Sequence, residues 1–260
     1  MRPWRELVLT QSRKIKGAFC YNKSMDTVGL DIVYFVKDTP TNEELRISLR
    51  SVAKNMPHKR VWIFGGHPKG IIPDVYIKVD QKGKTKWDRV HTMFRMACEN
   101  KELTDDFIMF NDDFFVMQPT DHLGISYRCS LEKHIQILEA NYNNRPSEYT
   151  RLLRRSLAEL KRLGLPTLSY EIHTPFLFNK QQLLQMLNEH PDWRSTRTMY
   201  GNLYNIGGER SNDVKIFSSK TELDYKSLRF LSTDDSVVNV NNDLWRYIRG
   251  QFKGKSEFED

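Results

Sequence analysis

The chain has 260 residues, 39% apolar and 28% charged, a balance that excludes a mostly disordered protein and a length that can bury a full core without disulfides. Its longest apolar run, Ile32 to Val36, is too short for a transmembrane helix, and the start, Met1-Arg-Pro-Trp-Arg-Glu6, lacks the apolar stretch of a signal peptide. The net charge of +7 is a moderate excess.

The expected home is the cytoplasm. Cys20, Cys98 and Cys129 agree with it: they form no CxxC pair and read as free thiols in a reducing compartment. Part of the basic excess is local. It falls in residues 1–23 and in Arg145 to Arg162, where Arg151, Arg154, Arg155, Lys161 and Arg162 cluster. Such patches suit a polyanionic partner, and a solvated basic face carries the same signature.

In chain order, Asp31-Ile-Val-Tyr-Phe-Val-Lys37 is β-branched and aromatic, as in a buried parallel strand. Thr41 or Asn42 can cap a helix over 43–54. Strands are predicted over 60–64, ended by Gly65-Gly66, and over 74–79. The spacing of Val90, Met93, Phe94 and Ala97 predicts a helix over 87–100. Asp106-Phe-Ile-Met-Phe110 is a fourth strand, running into Asn111-Asp112-Asp113-Phe114-Phe115. After residue 125 the pattern turns helical, with segments over 131–140, 147–163, 180–189 and about 193–204. A late strand over 226–232 leads to Thr233-Asp234-Asp235. A final helix spans 241–252, and the last residues are expected to fray. Alternating strands and helices predict one α/β domain over 1–260 with a mixed, mostly parallel sheet, a helical insertion at about 128–165, and ligands at the carboxyl ends of the strands.

Four features carry chemistry. Asp112-Asp113 and Asp234-Asp235 each follow an apolar strand, and two such units can converge on one divalent cation, Mg²⁺ or Mn²⁺, that neutralises a leaving diphosphate. Asp-Asp also occurs in ordinary turns. His173, in Glu171-Ile-His173-Thr-Pro175, is a candidate general base, with Pro175 holding Thr174 extended and Glu171 placed to orient the imidazole. Arg46 and Arg50 are i,i+4 on one helix face and could clamp a diphosphate, or pair with Glu43. Lys84, Lys86 and Arg89 precede or open a helix whose N-terminus attracts phosphate. No GxGxxG, P-loop, GxSxG, HExxH or zinc-finger spacing is present.

Taken in order, these blocks resemble the Stealth family of sugar-phosphate transferases. The resemblance rests on Asp31-Ile-Val-Tyr-Phe-Val, on Asn42 to Pro57 with Phe107 to Phe115, on His173-Thr-Pro175-Phe, and on Phe230-Leu-Ser-Thr-Asp234-Asp235, where the family usually has Asn in place of Thr233. It implies a GT-A-like fold and transfer of a sugar or sugar-1-phosphate from a nucleotide-sugar donor. It further implies metal at Asp112 and Asp113, donor contacts from Asp31, Arg46, Arg50, Lys86, Arg89 and Asn111, and catalysis by His173, Asp234 and Asp235. The expected acceptor is a polyanion: a cell-surface polysaccharide or teichoic-type polymer, or DNA with hydroxymethylated bases. A non-catalytic nucleic-acid-binding protein is the rival from another class. Against it, the acidic pairs repel phosphate and no binding motif is evident.

Overall fold

The computed structural model describes residues 24–81, 85–141, 146–217, 224–234, 237–238 and 243–260. The class is mixed α/β. Its main elements are β1 (Asp31–Val36), α1 (Glu43–Asn55), β2 (Val61–Gly65), β3 (Val75–Lys78), α2 (Lys86–Glu99), β4 (Asp106–Phe110) and β5 (Phe114–Val116). There follow α3 (Leu131–Asn141), α4 (Glu148–Leu163), β6 (Phe176–Asn179), α5 (Lys180–Glu189), α6 (Thr196–Leu203), β7 (Lys215–Ile216), β8 (Phe230–Thr233) and α7 (Asp243–Gln251). Short two-residue strands pair at the periphery.

The main sheet has the order β6-β4-β1-β2-β3. β4, β1, β2 and β3 run parallel, and β6 joins β4 antiparallel. Every residue of β1 and β2 is buried, which requires cover on both faces and explains their unbroken apolar runs. Trp62, Phe64, Phe107 and Phe178 are fully buried, and each such side chain contributes about 1.5–3 kcal/mol. β2 ends at Gly65, with φ at +120°, where an added Cβ would lie 2.1 Å from the Val36 carbonyl; only glycine fits this exit from the sheet.

A second sheet, β7-β8-β5, starts where β4 ends. The turn Asn111-Asp112-Asp113 passes the chain from the first sheet to the second. Helix α1 fixes that passage. Ser48, Ser51 and Asn55 lie along one ridge of the helix, and their side chains bond the backbone of β5 at Phe114 and Val116. The ridge is buried, so each polar group needs such a partner.

Helices α3 and α4 pack together across the segment expected as a helical insertion. Among the described residues no helix is long and apolar enough to cross a membrane. Cys98 and Cys129 are free and buried; Cys20 and the basic residues 1–23 lie outside the described residues.

The tail after α7 is not frayed. Phe252 and Phe258 are buried, and the Phe258 carbonyl accepts from the Ile72 N–H. The Glu259 side chain is 0% exposed, held by Arg50 Nε and Nη2 at 2.7 Å each and by Arg46 Nη1 at 2.9 Å. Burial raises this carboxyl, but the Arg50 hydrogen bonds, the Ser256 N–H and Arg46 outweigh it and bring it from 4.5 down to about 2. A depressed carboxylate contributes its stability in full above its unfolded value and loses it as pH falls through the folded one. Wild-type protein should therefore lose stability between about pH 4.5 and about pH 2, and Glu259→Gln should lose less over that window, read by urea unfolding at stepped pH. Parallel slopes for the two proteins would discount the clasp.

Candidate functional site

The carboxyl ends of the parallel strands carry a cluster of charged side chains drawn from several separate segments. Asn42 caps α1, accepting from the Leu45 N–H at 2.9 Å, and its Nδ2 donates to Asp112 Oδ2 at 2.7 Å. One residue thus ends the loop after β1 and fixes the first acid of the turn.

Asp113 is 9% exposed and faces the second sheet. Its Oδ2 accepts from Lys215 Nζ at 2.8 Å and from Ser232 Oγ at 3.0 Å. Its Oδ1 is buried with no hydrogen-bond partner among the described residues. The antiparallel pairing of β8 with β5 explains the meeting. Ser232 lies opposite Phe114, the Thr233 N–H reaches the Asp113 carbonyl at 3.3 Å, and the charge of Asp234 acts on the same Lys215 that Asp113 holds. Thr233, which stands where the Stealth pattern has Asn, donates its hydroxyl to Glu44 Oε1 at 2.8 Å. The structure therefore brings Asp112, Asp113 and Asp234 to one edge. Asp235 lies outside the described residues.

Lys215 sits among these acids. Burial favours its neutral amine, but the charge and hydrogen bond of Asp113, with Asp234 and Glu44 behind them, outweigh burial and raise its pKa. It is a fixed ammonium in an acidic cluster.

His173 arrives by the other neighbour of β4. Phe176 pairs with Met109, and the loop before it brings His173 beside Phe114, the residue after the acidic turn. Its ring stands edge-on to Phe114, with centroids 6.3 Å apart. The residue that orients it is Asp213, not Glu171. Asp213 accepts from His173 Nδ1 at 2.9 Å and from its backbone N–H at 3.1 Å, while Arg128 holds Asp213 Oδ2 at 3.0 Å. Burial raises the Asp213 carboxyl, but His173 and Arg128 outweigh it and hold it down at about 2. An ionised carboxylate can only accept, so Nδ1 carries the proton and Nε2 is left as the acceptor. Glu171 instead accepts from the Thr198 N–H, near the start of α6, at 3.4 Å.

Arg197 of α6 holds the histidine loop. It is 8% exposed and lies over the rings of Phe114 and Phe176. Its Nη1 donates to the carbonyls of Ile172 and Thr174, on either side of His173, at 2.7 and 3.3 Å, and its Nη2 reaches Asn111 Oδ1 at 3.4 Å. Burial pushes its pKa down from the ordinary arginine value. A planar fork suits this task, since one side chain must satisfy several acceptors at fixed angles.

The remaining expected residues lie elsewhere. Asp31 stands at the amino end of β1, the opposite edge of the sheet. It is fully buried and bidentate to Arg60 at 3.1 and 3.0 Å, with the Thr104 N–H also on Oδ2, so it does not join the cluster. Arg46 and Arg50 share a face as expected, yet they grip Glu259, and Arg46 also meets Glu43 at 3.3 Å. Lys86 and Arg89 open α2, away from the acidic cluster in sequence, with Lys86 over the Trp87 ring. Lys84 lies outside the described residues. The basic α4 face is largely self-compensated: Arg154 pairs with Glu139, Lys161 with Glu132 and Arg162 with Glu159.

Asp213, Lys215, Arg197 and Arg128 were not visible as site residues from the sequence. Asp213-Val-Lys215-Ile alternates charge and apolar positions, a strand-like signal over only four residues. Arg197 gives none. No protein-family model matches this chain, and no curated protein matches it.

Proposed function

We propose that the chain is a transferase with a GT-A-like active site, moving a sugar or sugar-1-phosphate from a nucleotide-sugar donor to an acceptor hydroxyl, with a polyanionic polysaccharide or teichoic-type polymer as the acceptor class. The observation that carries it is the convergence of Asp112, Asp113 and Asp234 with a His173–Asp213 pair at the carboxyl edge of a parallel sheet, where open α/β sheets bind ligands. The resemblance to the Stealth blocks supplies the reaction class.

The acids fit a hard divalent cation, because Asp113 Oδ1 is a buried carboxylate oxygen that no described donor reaches. Among the described residues no group of three or more His, Cys, Asp or Glu is gathered closely enough to hold an ion alone, so Asp113 and Asp112 would share it with donor oxygens. Bound there, Mg²⁺ or Mn²⁺ would offset the charge of a diphosphate. The protein's own groups do the rest. His173 Nε2 takes the proton from the acceptor hydroxyl, and Asp213 stabilises the imidazolium that results. Lys215 adds a fixed positive charge beside the diphosphate, where both transfers develop negative charge. Arg197 holds the His173 loop against Asn111.

A panel of nucleotide sugars in a thermal-shift assay, with and without Mn²⁺ or Mg²⁺, tests this reading. One donor should raise the melting temperature only with metal, by the equivalent of about 2.7 kcal/mol at 100 times its Kd, and should be slowly hydrolysed. If no nucleotide sugar shifts melting or is turned over, the transferase reading fails.

A further inference from the structure

We propose that the cleft between α1 and α7 is a phosphoryl-binding site that takes the phosphomonoester end of a small ligand. The cleft has a volume of about 510 Å³ and is lined by Ile47 and Arg50 of α1, by Arg246, Arg249 and Gly250 of α7, and by Lys253 just beyond. That size lies within the range of small-ligand pockets. Ile47 closes its floor and is buried in the smaller core with Phe115, Trp245 and Ile248.

The charges decide the class of ligand. Four of the six lining residues are cationic. Arg50 is neutralised by Glu259, and Arg246 pairs with Asp243. Arg249 and Lys253 have no side-chain partner among the described residues, and no acid lines the cleft. Among the described residues two positive charges are therefore left over. A carboxylate or a single phosphodiester carries one negative charge, whereas a phosphomonoester carries about 1.5–2 at neutral pH. Arg249 lies in the last turn of α7, where it also offsets the carbonyl end of the helix dipole. That role accounts for Arg249 alone and not for Lys253 beyond it.

Arg50 is a rigid wall. Its Nε and Nη2 are fixed on Glu259 and its Nη1 donates to the Phe252 carbonyl at 3.1 Å. Gly250 leaves room opposite: a Cβ placed there meets nothing within 4 Å, so the organic part of the ligand can leave the cleft over it. The site is separate from the acidic cluster and does not rest on the transferase reading.

Calorimetric titration of the full chain with inorganic phosphate and with glucose 6-phosphate tests the proposal and separates free phosphate from a phosphoryl group on an organic carrier. Both should bind, the sugar phosphate more tightly, and binding should weaken as salt rises. Arg249→Ala and Lys253→Ala should each weaken it about tenfold; the exposed Lys253→Ala should leave melting unchanged, and Arg249→Ala should lower it only by what the helix dipole loses. Gly250→Leu, which fills the mouth without changing charge, should weaken the sugar phosphate more than free phosphate. Asp113→Asn should keep wild-type affinity. No heat of binding with either probe, or full affinity in the Arg249→Ala/Lys253→Ala double variant, would overturn the assignment.

Discussion

Changing Asp113 to asparagine is expected to lower transfer by about 10³-fold, because the turn loses the acid that hydrogen-bonds Lys215 at the donor edge. The change has a second consequence. The Lys215 side chain is only 16% exposed and would keep its ammonium without the carboxylate, a cost on the order of 3 kcal/mol. Loss of activity in the single variant therefore mixes chemistry with stability. Asp113→Asn combined with Lys215→Met separates them: unfolding stability should return toward wild type while turnover stays lost. Recovery of both in the double variant would reduce Asp113 to a structural partner of Lys215.

The second large effect falls on the histidine. Asp213→Asn removes the carboxylate that fixes the Nδ1 proton and should lower kcat by about 10²-fold, with donor affinity preserved. His173→Ala should cost about as much. The double variant should be no worse than the worse single one, since the two residues act as a unit. Rapid-quench turnover with saturating donor measures kcat, and calorimetry with the donor alone measures affinity. Additive losses would mean that Asp213 serves Arg128 or the fold and not the imidazole.

Much of this arrangement was legible in the sequence for a physical reason. Asp112-Asp113 ends an apolar strand of the parallel sheet, where such ends gather at one edge, and Asp234 ends an apolar strand that pairs antiparallel with the segment after the turn. The strand Asp106–Phe110 and the helix Lys180–Glu189 match their expected bounds, because both have strong apolar patterns. Asp31 misled for a reason visible in hindsight: it begins its strand, and the start of a parallel strand lies at the edge away from the ligands. Arg46 and Arg50 were placed correctly on one face, but their partner, Glu259, lies more than 200 residues away, and no local pattern reports it. Strand β6 and the two-residue β7 were missed. β6 follows Pro175 and leads directly into a helix, and β7 is too short for a period to show.

The Glu259 clasp also bears on how the chain reaches its native state. The pair with Arg46 spans 213 residues, so it closes one of the longest loops in the molecule. Contacts of such sequence separation slow folding. The same helix α1 bonds β5 through Ser51 and Asn55, and β5 continues the turn that carries Asp113. Opening of the tail and opening of the acidic turn are thereby linked through one helix. Amide hydrogens of α1 and of residues 252–259 should exchange as one cooperative unit, and a chain whose tail has come undone would hold its acidic turn less firmly.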